Sequence, residues 1–552
     1  MKKLLSGLLI LSMASALQAR QVRDECDCKA TSHTFFSDEW ELIFGPTSPS
    51  RVTLFRDRMH ASDRDACKGN GAFQAVIFGG KSTKNDRLAR FFLPNCKTTL
   101  IVREQATPAV PDTDVLANYL NIYTVNGTFL SEVTFEPRHS WVGAGLQWQQ
   151  AFYEREDGRA LWYSIALPIA NVKNRIRICE NIIDNGGGAG VTPVEPGLAQ
   201  VRACGNVGSC GNVDTCSTQC NTQCTIDPTV ALTPVGSVTE AFAQPGWCYG
   251  RIDDCSSRNH KTGAGDLELR VGYEIVKSDH CFLDSFIGVL APTGNRVRGR
   301  NVFEPVVGHN HHPGVLTGTS FGIEIWRPKC DLGTVWFYLD MSFEYFVERT
   351  ERRSFDLKGK PWSRYMQFYA NADQALLAAN AVDFATGLTL HTPGINILTQ
   401  DLRVKPGFLR DFNFGIAYDR CWWQAEVGYN FYARQAECVE LDCPFIETAA
   451  LKYLNGFGQT SKLVQINSIF PGNVISDTVD AYENNIIRTE DLCLESAAHP
   501  AVVSHTFYGS IGRRWDERER PVFVGLGGQY EVAPDNTAMN RWMVWGKAGI
   551  SF

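Results

Sequence analysis

Apolar and polar residues alternate along this chain in stretches of about ten residues. In segment 333–347, apolar side chains fill every second position from Val335 to Val347, with Asp340, Ser342 and Glu344 between them. Because successive side chains of a strand point to opposite faces, the pattern predicts strands with one apolar and one polar face. About ten residues is also the length at which a tilted strand crosses a bilayer.

A soluble antiparallel sandwich would alternate in the same way. Three features favour a membrane barrel instead. The segments are longer than the roughly five or six residues of a typical globular strand, and aromatic residues recur near their ends, as in interfacial girdles. The alternation also continues from Trp542 to the terminal Phe552. We therefore predict an all-β fold, a transmembrane antiparallel β-barrel.

The pattern gives about twelve strands. They are expected at 128–136, 140–152, 160–170, 265–276, 281–291, 316–326, 333–347, 404–419, 421–432, 502–515, 519–532 and 538–552. Fourteen is the alternative, because Ala72 to Phe78 and Thr98 to Val102 can form a further hairpin.

Short and long connections alternate between these strands, as in bacterial barrels with short periplasmic turns and long outer loops. This parity predicts that both termini are periplasmic. The large extracellular loops are then 171–264, 292–315, 348–403 and 433–501.

The N-terminus has the features of an export signal. Lys2 and Lys3 precede the apolar run Leu4 to Met13, and small residues follow it. This order predicts a signal peptide over residues 1–19 and an outer-membrane destination. Residues 20–127 are expected to form a periplasmic extension or a plug, and residues 128–552 the barrel.

Composition excludes two classes. The formal net charge is −7, which argues against a nucleic-acid binder, since such proteins carry a basic face. After the signal, no run of about 18 apolar residues suggests a membrane helix. The expected partners are outer-membrane lipid and small solutes.

The chain has 18 cysteines. In an exported protein disulfides are the first interpretation, although their pairing is not readable from sequence. We expect them to bridge the outer loops, with these candidates: Cys204, Cys210, Cys216, Cys220, Cys224, Cys438, Cys443 and Cys493. The spacing of the first five lacks the paired Cys-x-x-Cys of zinc sites.

Three neighbouring histidines, His309, His311 and His312, form a weak metal candidate, because histidine-rich tracts can bind metals. Solvated loop residues are the more common case. The sequence has no nucleophile elbow, no phosphate loop and no helical zinc motif. We therefore predict no catalytic residues, no cofactor and no enzyme activity.

Polar positions of the strands would face the lumen. They are rich in carboxylates, which would attract cations if the channel is open. The predicted pore-lining residues are Glu132, Glu268, Arg270, Glu274, Glu324, Asp340, Glu344 and Glu426.

Two segments resemble a known family. Gly265-Asp-Leu-Glu-Leu-Arg-Val-Gly-Tyr273, followed by Gly288-Val-Leu-Ala-Pro-Thr-Gly294, is similar to a hairpin of outer-membrane transport barrels. These are the meta-pathway phenol-degradation proteins and, more distantly, the fatty-acid transporters. The strand ending at Phe552 likewise resembles the signal read by the barrel-assembly machinery.

Together these features predict a porin-like channel for passive passage of small solutes, with a preference for cations. The alternative is a closed barrel that serves as a surface-structural protein or adhesin with disulfide-stabilised loops.

Overall fold

The fold is described from a computed structural model. It describes residues 71–104, 114–189, 232, 234–244, 246–252, 259–328, 333–380, 391–420, 422–452, 482–483, 485–515, 520–534 and 538–552. The predicted signal peptide lies outside these residues. Within them, no helix is both long and apolar enough to cross a membrane.

Twelve antiparallel strands close into a barrel, which confirms the predicted fold class and strand number. Each strand pairs with its neighbours in the chain, and the first pairs with the last. The strands are β1 (Gly71–Thr83), β2 (Leu130–Glu154), β3 (Ala160–Asp184), β4 (Leu267–Lys277), β5 (Cys281–Ala291), β6 (Gly314–Trp326), β7 (Thr334–Phe346), β8 (Phe408–Arg420), β9 (Trp423–Arg434), β10 (Val502–Trp515), β11 (Val522–Val532) and β12 (Asn540–Ser551).

The first strands differ from the sequence-based assignment. The segments 128–136 and 140–152 are one strand, β2, which passes through Pro137 without a turn. Pro137 lies between the part of β2 that pairs with Thr99–Arg103 and the part that pairs with β1, so among the described strands one side of β2 has no partner there. Proline is tolerated at such edge positions.

Although two predicted strands merge into β2, the number stays at twelve because β1, which includes Ala72 to Phe78, is a barrel strand. The barrel therefore contains a segment that the sequence placed in the N-terminal extension. The predicted hairpin with Thr98 to Val102 does not form, because Thr99–Arg103 pairs with the end of β2 that projects beyond β1.

The two ends of the barrel differ. Five short connections lie at one end, here called the turn end, together with residue 71 and the C-terminus. Gly71 and Phe552 exchange two backbone hydrogen bonds of 2.9 Å there. The long connections all lie at the opposite end, here called the loop end.

At the loop end the long connections fold together into a layer that we call the cap. Its hydrophobic core joins Phe91, Phe242, Trp362 and Phe368 from three connections to Phe135 of the projecting part of β2. Burial of this much aromatic surface holds the connections against one another and against the projecting ends of β2 and β3.

The cap and its borders hold the remaining elements. The helices are α1 (Asn85–Phe92), α2 (Val238–Ala243), α3 (Ala372–Asn380) and α4 (Gly394–Ile397). Short strands lie at Thr99–Arg103, Val115–Leu116, His260–Ala264, Arg349–Ser354, Asp356–Leu357, Gln367–Tyr369, Thr392–Pro393, Thr399–Lys405, Cys438–Leu441, Ala450–Leu451 and Leu492–Cys493. Single 3₁₀ turns lie at Pro94–Cys96, Ala117–Leu120, Ser363–Tyr365, Thr489–Asp491 and Leu494–Ala497.

The barrel strands place apolar side chains outside and polar side chains inside. Large apolar residues of the outer face are exposed, among them Ile77, Val142, Ile287, Val427 and Leu526. Inside, aromatic rings lie against glycines of the adjacent strand. A Cβ at Gly428 would stand 2.1 Å from Tyr508, and one at Gly272 would stand 2.2 Å from Trp162.

This contact gives a first prediction. Gly428→Ala should lower the urea midpoint of the folded barrel by the equivalent of about 1–3 kcal/mol, because Tyr508 must leave its position. Gly263→Ala is the matched control, since none of the described residues has an atom within 4 Å of its added Cβ. Equal midpoints for the two variants, measured by the heat-modifiable gel shift, would contradict the packing described.

Candidate functional site

Seven of the eight predicted pore residues lie on the interior face of the barrel. They are Glu268, Arg270, Glu274, Glu324, Asp340, Glu344 and Glu426. Glu132 instead lies exposed on the outer face. The reason is the continuity of β2: period-two alternation puts Glu132 on the same side as Val142, which points outward.

Strand register aligns twelve interior polar residues, one from each strand, and we call them the polar row. Each is the cross-strand partner of the next, except for Ser82 and His139, where the backbone N–H of His139 donates to Ser82 Oγ at 3.0 Å. In order, the row is Glu274, Asp284, Ser320, Asp340, Asn413, Asn430, Thr506, Glu531, Arg541, Ser82, His139 and Asn174.

The row winds through the whole barrel. It begins at Glu274, three residues from the end of β4 beside a turn, and ends at Asn174 in the loop-end half of β3. Because barrel strands tilt against the axis, a line of register partners climbs as it goes round. The polar row is therefore a continuous polar track from the turn end to the cap.

Some neighbours in the row are joined by side-chain hydrogen bonds. Asn413 Nδ2 donates to Asp340 Oδ2 at 3.5 Å, and Arg541 Nε donates to Glu531 Oε2 at 2.6 Å. At the turn end, Glu274 accepts the backbone N–H of Ala160 at 3.0 Å. The continuity of the row comes from the register of its strands, and the side-chain hydrogen bonds join particular pairs within it.

A second line of register partners flanks the polar row on its turn-end side. Eight of its eleven members are glycine or aromatic, and the members are Phe282, Gly322, Tyr338, Gly415, Gly428, Tyr508, Gln529, Met543, Gly80, Trp141 and Val172. The rings lie over the glycines. The rings and glycines therefore separate the polar row from the interior side chains nearer the turn end.

Carboxylates outnumber basic groups on the interior face. The acids are Glu268, Glu274, Asp284, Glu324, Asp340, Glu344, Asp411, Asp419, Glu426 and Glu531, and the bases are Arg270, Lys277, Arg434, Arg514, Arg541 and Lys547. Glu426 accepts the Tyr508 hydroxyl at 2.9 Å. The formal charge of the interior side chains is therefore negative.

The interior is also narrow. Apart from Ser320, every member of the polar row is buried, and Asp340 has 8% of its surface exposed. A wide water-filled lumen would leave these side chains exposed, as in large porins.

The connection between β5 and β6 closes the loop end of the row. Val307 packs against Trp141 and Val172 of the interior, and the Glu304 carbonyl accepts Asn174 Nδ2 at 3.0 Å. Asp266 holds the connection by accepting the backbone N–H groups of Gly294 and His309 at 2.9 and 2.7 Å.

The cap contains a buried ionic cluster beside this connection. Arg353 Nε donates to Glu351 at 2.8 Å and its Nη1 lies 3.3 Å from Glu437. His312 faces the Val347 carbonyl through Nδ1 and Glu351 through Nε2. Burial raises the pKa of Glu351, but Arg353 and His312 outweigh it and hold that pKa at about 2.

The candidate histidines serve separate contacts. His309 Nδ1 lies 2.7 Å from Asp266 Oδ2, His312 is in the ionic cluster, and His311 adopts a left-handed backbone conformation. In the part of the chain that the structure describes, no three His, Cys, Asp or Glu side chains form a metal-binding group.

The candidate cysteines divide into three sets. Cys443 and Cys493 are disulfide-bonded, as is Cys248. Cys438 carries an exposed free thiol, because it lies in the short strand Cys438–Leu441 at a sheet edge. The candidates Cys204, Cys210, Cys216, Cys220 and Cys224 lie outside the described residues.

Of the polar row, the predicted pore residues include only Glu274 and Asp340; Asp284, Glu531 and Arg541 were not among them, and neither were the neutral members. Asn413, Asn430 and Thr506 stand at inward positions of strands that the alternation had found, but only charged residues were selected there. Reading every inward polar residue in each strand would have found them. Their alignment into one row needs the register, which sequence does not give.

Comparison with known proteins gives structural neighbours only. No family model and no curated protein matches the chain. The solved structures that match include an outer-membrane channel from Pseudomonas putida F1, at a TM-score of 0.36, 9% identity and 87% and 96% coverage of this chain and that one.

Two further structures match at lower scores. A FadL homologue from Pseudomonas aeruginosa has a TM-score of 0.27 and 7% identity, with 94% and 98% coverage. The β domain of the Bordetella autotransporter BrkA has a TM-score of 0.29 and 7% identity, with 87% and 99% coverage. These TM-scores lie below 0.5, so the fold assignment rests on the strand pairing: the chain is a twelve-stranded antiparallel β-barrel.

The ionic cluster predicts a pH dependence of the cap. The Glu351 pKa is depressed in the fold, so its stabilisation is complete above the ordinary glutamate pKa of about 4.3 and is lost as the pH falls toward about 2. The loss is on the order of 3 kcal/mol. Hydrogen exchange at residues 349–354, corrected for its intrinsic pH dependence, should accelerate in this range.

Glu351→Gln should remove most of that pH dependence. The matched control is Glu348→Gln, whose carboxylate forms an exposed pair with Lys405 at 3.1 Å and should contribute little. The same acid profile in Glu351→Gln and the parent protein would show that another group is responsible.

Proposed function

We propose that this protein is a porin-like channel of a Gram-negative-type outer membrane that passes small polar solutes, with cations preferred. The observation that carries the proposal is the polar row. It provides hydrogen-bonding groups from one end of the barrel interior to the other, and its acids exceed its bases. An apolar solute would gain nothing from such a track, since polar groups left without partners cost free energy.

The outer surface supports the membrane position. Its exposed side chains form an apolar band, including Ile77, Val142 and Leu526, which water would disfavour and lipid would accept. With the signal peptide predicted from residues 1–19, we place the turn end and both termini in the periplasm. The pairing of Phe552 with Gly71 at the seam fits a role of the last strand in barrel assembly.

Conductance in a planar bilayer tests the channel. Purified protein should give small unitary conductances, because the interior is narrow, and a reversal potential in a salt gradient of the sign for cation selectivity. Well-folded protein that gives neither conductance nor liposome swelling would overturn the proposal. Anion selectivity would overturn the role of the carboxylates.

The charges of the row can be tested singly. Asp284→Asn and Asp340→Asn should each lower the permeability ratio of cations to anions about fivefold, the effect of roughly 1 kcal/mol from one charge at 4 Å in water. Glu132→Gln, which removes an outward charge, is the control and should leave the ratio unchanged. Equal ratios in all variants would show that ions do not follow the row.

The buried state of the interior favours a second candidate, a closed barrel that displays its cap as a surface-structural protein or adhesin. In that case the polar row stabilises the barrel and nothing passes. Wild-type protein would then be electrically silent, whereas replacing the row's hydrogen-bonded pairs would lower the unfolding midpoint.

A further inference from the structure

An arginine surrounded by tryptophans lies on the outer face at the turn end. The guanidinium carbon of Arg513 is 5.4 Å from the ring centroid of Trp422, 5.8 Å from Trp423 and 5.1 Å from Trp515. Trp422 and Trp423 are about half exposed. These distances are in the range of cation–π attraction, which holds the guanidinium in place.

The position of this cluster is the border of the apolar band. On β10 the outward residues Phe507 and Ile511 are exposed, and Arg513 is the next outward residue after Ile511. The following residue, Arg514, points inward and forms an ion pair with Asp419 at 2.9 Å. In a membrane this is the depth of the lipid headgroups, where tryptophan is enriched.

The cluster has an excess of positive charge. Arg420 is exposed and lies opposite Trp423 in the register, and Trp423 in turn lies opposite Arg513. In the described residues of β8, β9 and β10, the outward positions hold no carboxylate. Arg513 Nε is buried and meets no hydrogen-bond acceptor in the described part of the chain.

We propose that Arg513, with Trp422, Trp423 and Trp515, binds the phosphate of a phospholipid headgroup. Guanidinium groups match phosphate oxygens with two parallel hydrogen bonds. The tryptophan rings cover the glycerol region beside it, and Arg420 adds a second charge. This site rests on the proposed membrane position, but not on conductance.

Lipid retention by the intact barrel tests the site. Protein in detergent micelles containing phosphatidylglycerol is analysed by native mass spectrometry, and the lipid adducts are counted. Arg513→Gln should retain the last phosphatidylglycerol roughly tenfold more weakly than the parent, because one charged hydrogen-bond donor is lost. Arg513→Lys keeps the charge without the paired donors, and its retention of phosphatidylglycerol should lie between that of the parent and that of Arg513→Gln.

Arg177→Gln is the matched control. Arg177 is an exposed arginine at the loop end that lies opposite Glu136 rather than a tryptophan, and its loss should leave retention unchanged. The site would be overturned if Arg513→Gln retained lipid as the parent does, or if Arg513→Gln and Arg177→Gln lost lipid equally. Displacement of the lipid by inorganic phosphate at equal concentration would show a site for free phosphate and overturn its assignment to lipid.

These outcomes are separate from the channel test. A silent protein that still loses lipid on Arg513→Gln refutes the channel and keeps the site. A protein that conducts, but whose Arg513→Gln variant retains lipid as the parent does, keeps the channel and refutes the site. The gel shift of folded Arg513→Gln protein confirms that the variant has closed its barrel.

Discussion

The hydrogen bonds between β1 and β12 are the interaction on which the rest of this structure depends. They run from Ala72 opposite Ser551 to Thr83 opposite Asn540 and leave the barrel sheet without an open edge. An unpaired edge in lipid would leave its N–H and C=O groups unsatisfied, at several kcal/mol each. Closure also fixes the strand register, and the register aligns the interior.

Two consequences follow from the register. Inside, it lines up one polar side chain per strand into the polar row and places rings over glycines in the adjacent line. Outside, it lines up Arg420, Trp423 and Arg513 at the turn end. The cap then folds on the projecting ends of β2 and β3, and its connection through Val307 and Glu304 covers the loop end of the row.

Much of this was predictable from sequence. The alternation of β7 and β9, and the final strand to Phe552, gave the face of each side chain, because period two alone decides it. The prediction was wrong at β2, where two strands, 128–136 and 140–152, were expected instead of one. Sequence had no means of showing that Pro137 has a partner among the described strands on one side only.

The interior was predictable residue by residue but not as an arrangement. Asp340 and Glu426 were identified as inward from their strands. The pairing of Asp340 with Asn413, 73 positions later, needs the register of two strands, which local patterns do not give. The cap was not predicted at all. Its core joins aromatic residues from separate connections, and no periodicity marks such residues.

The most direct test of the account is the register across the seam between β1 and β12. Cross-strand nuclear Overhauser effects in lipid nanodiscs should place Val76 opposite Lys547 and Ser82 opposite Arg541. A register displaced by two residues would leave each side chain on the same face of its strand but would separate the partners of the polar row, and it would contradict the account. A seam without these contacts would contradict the closed barrel itself.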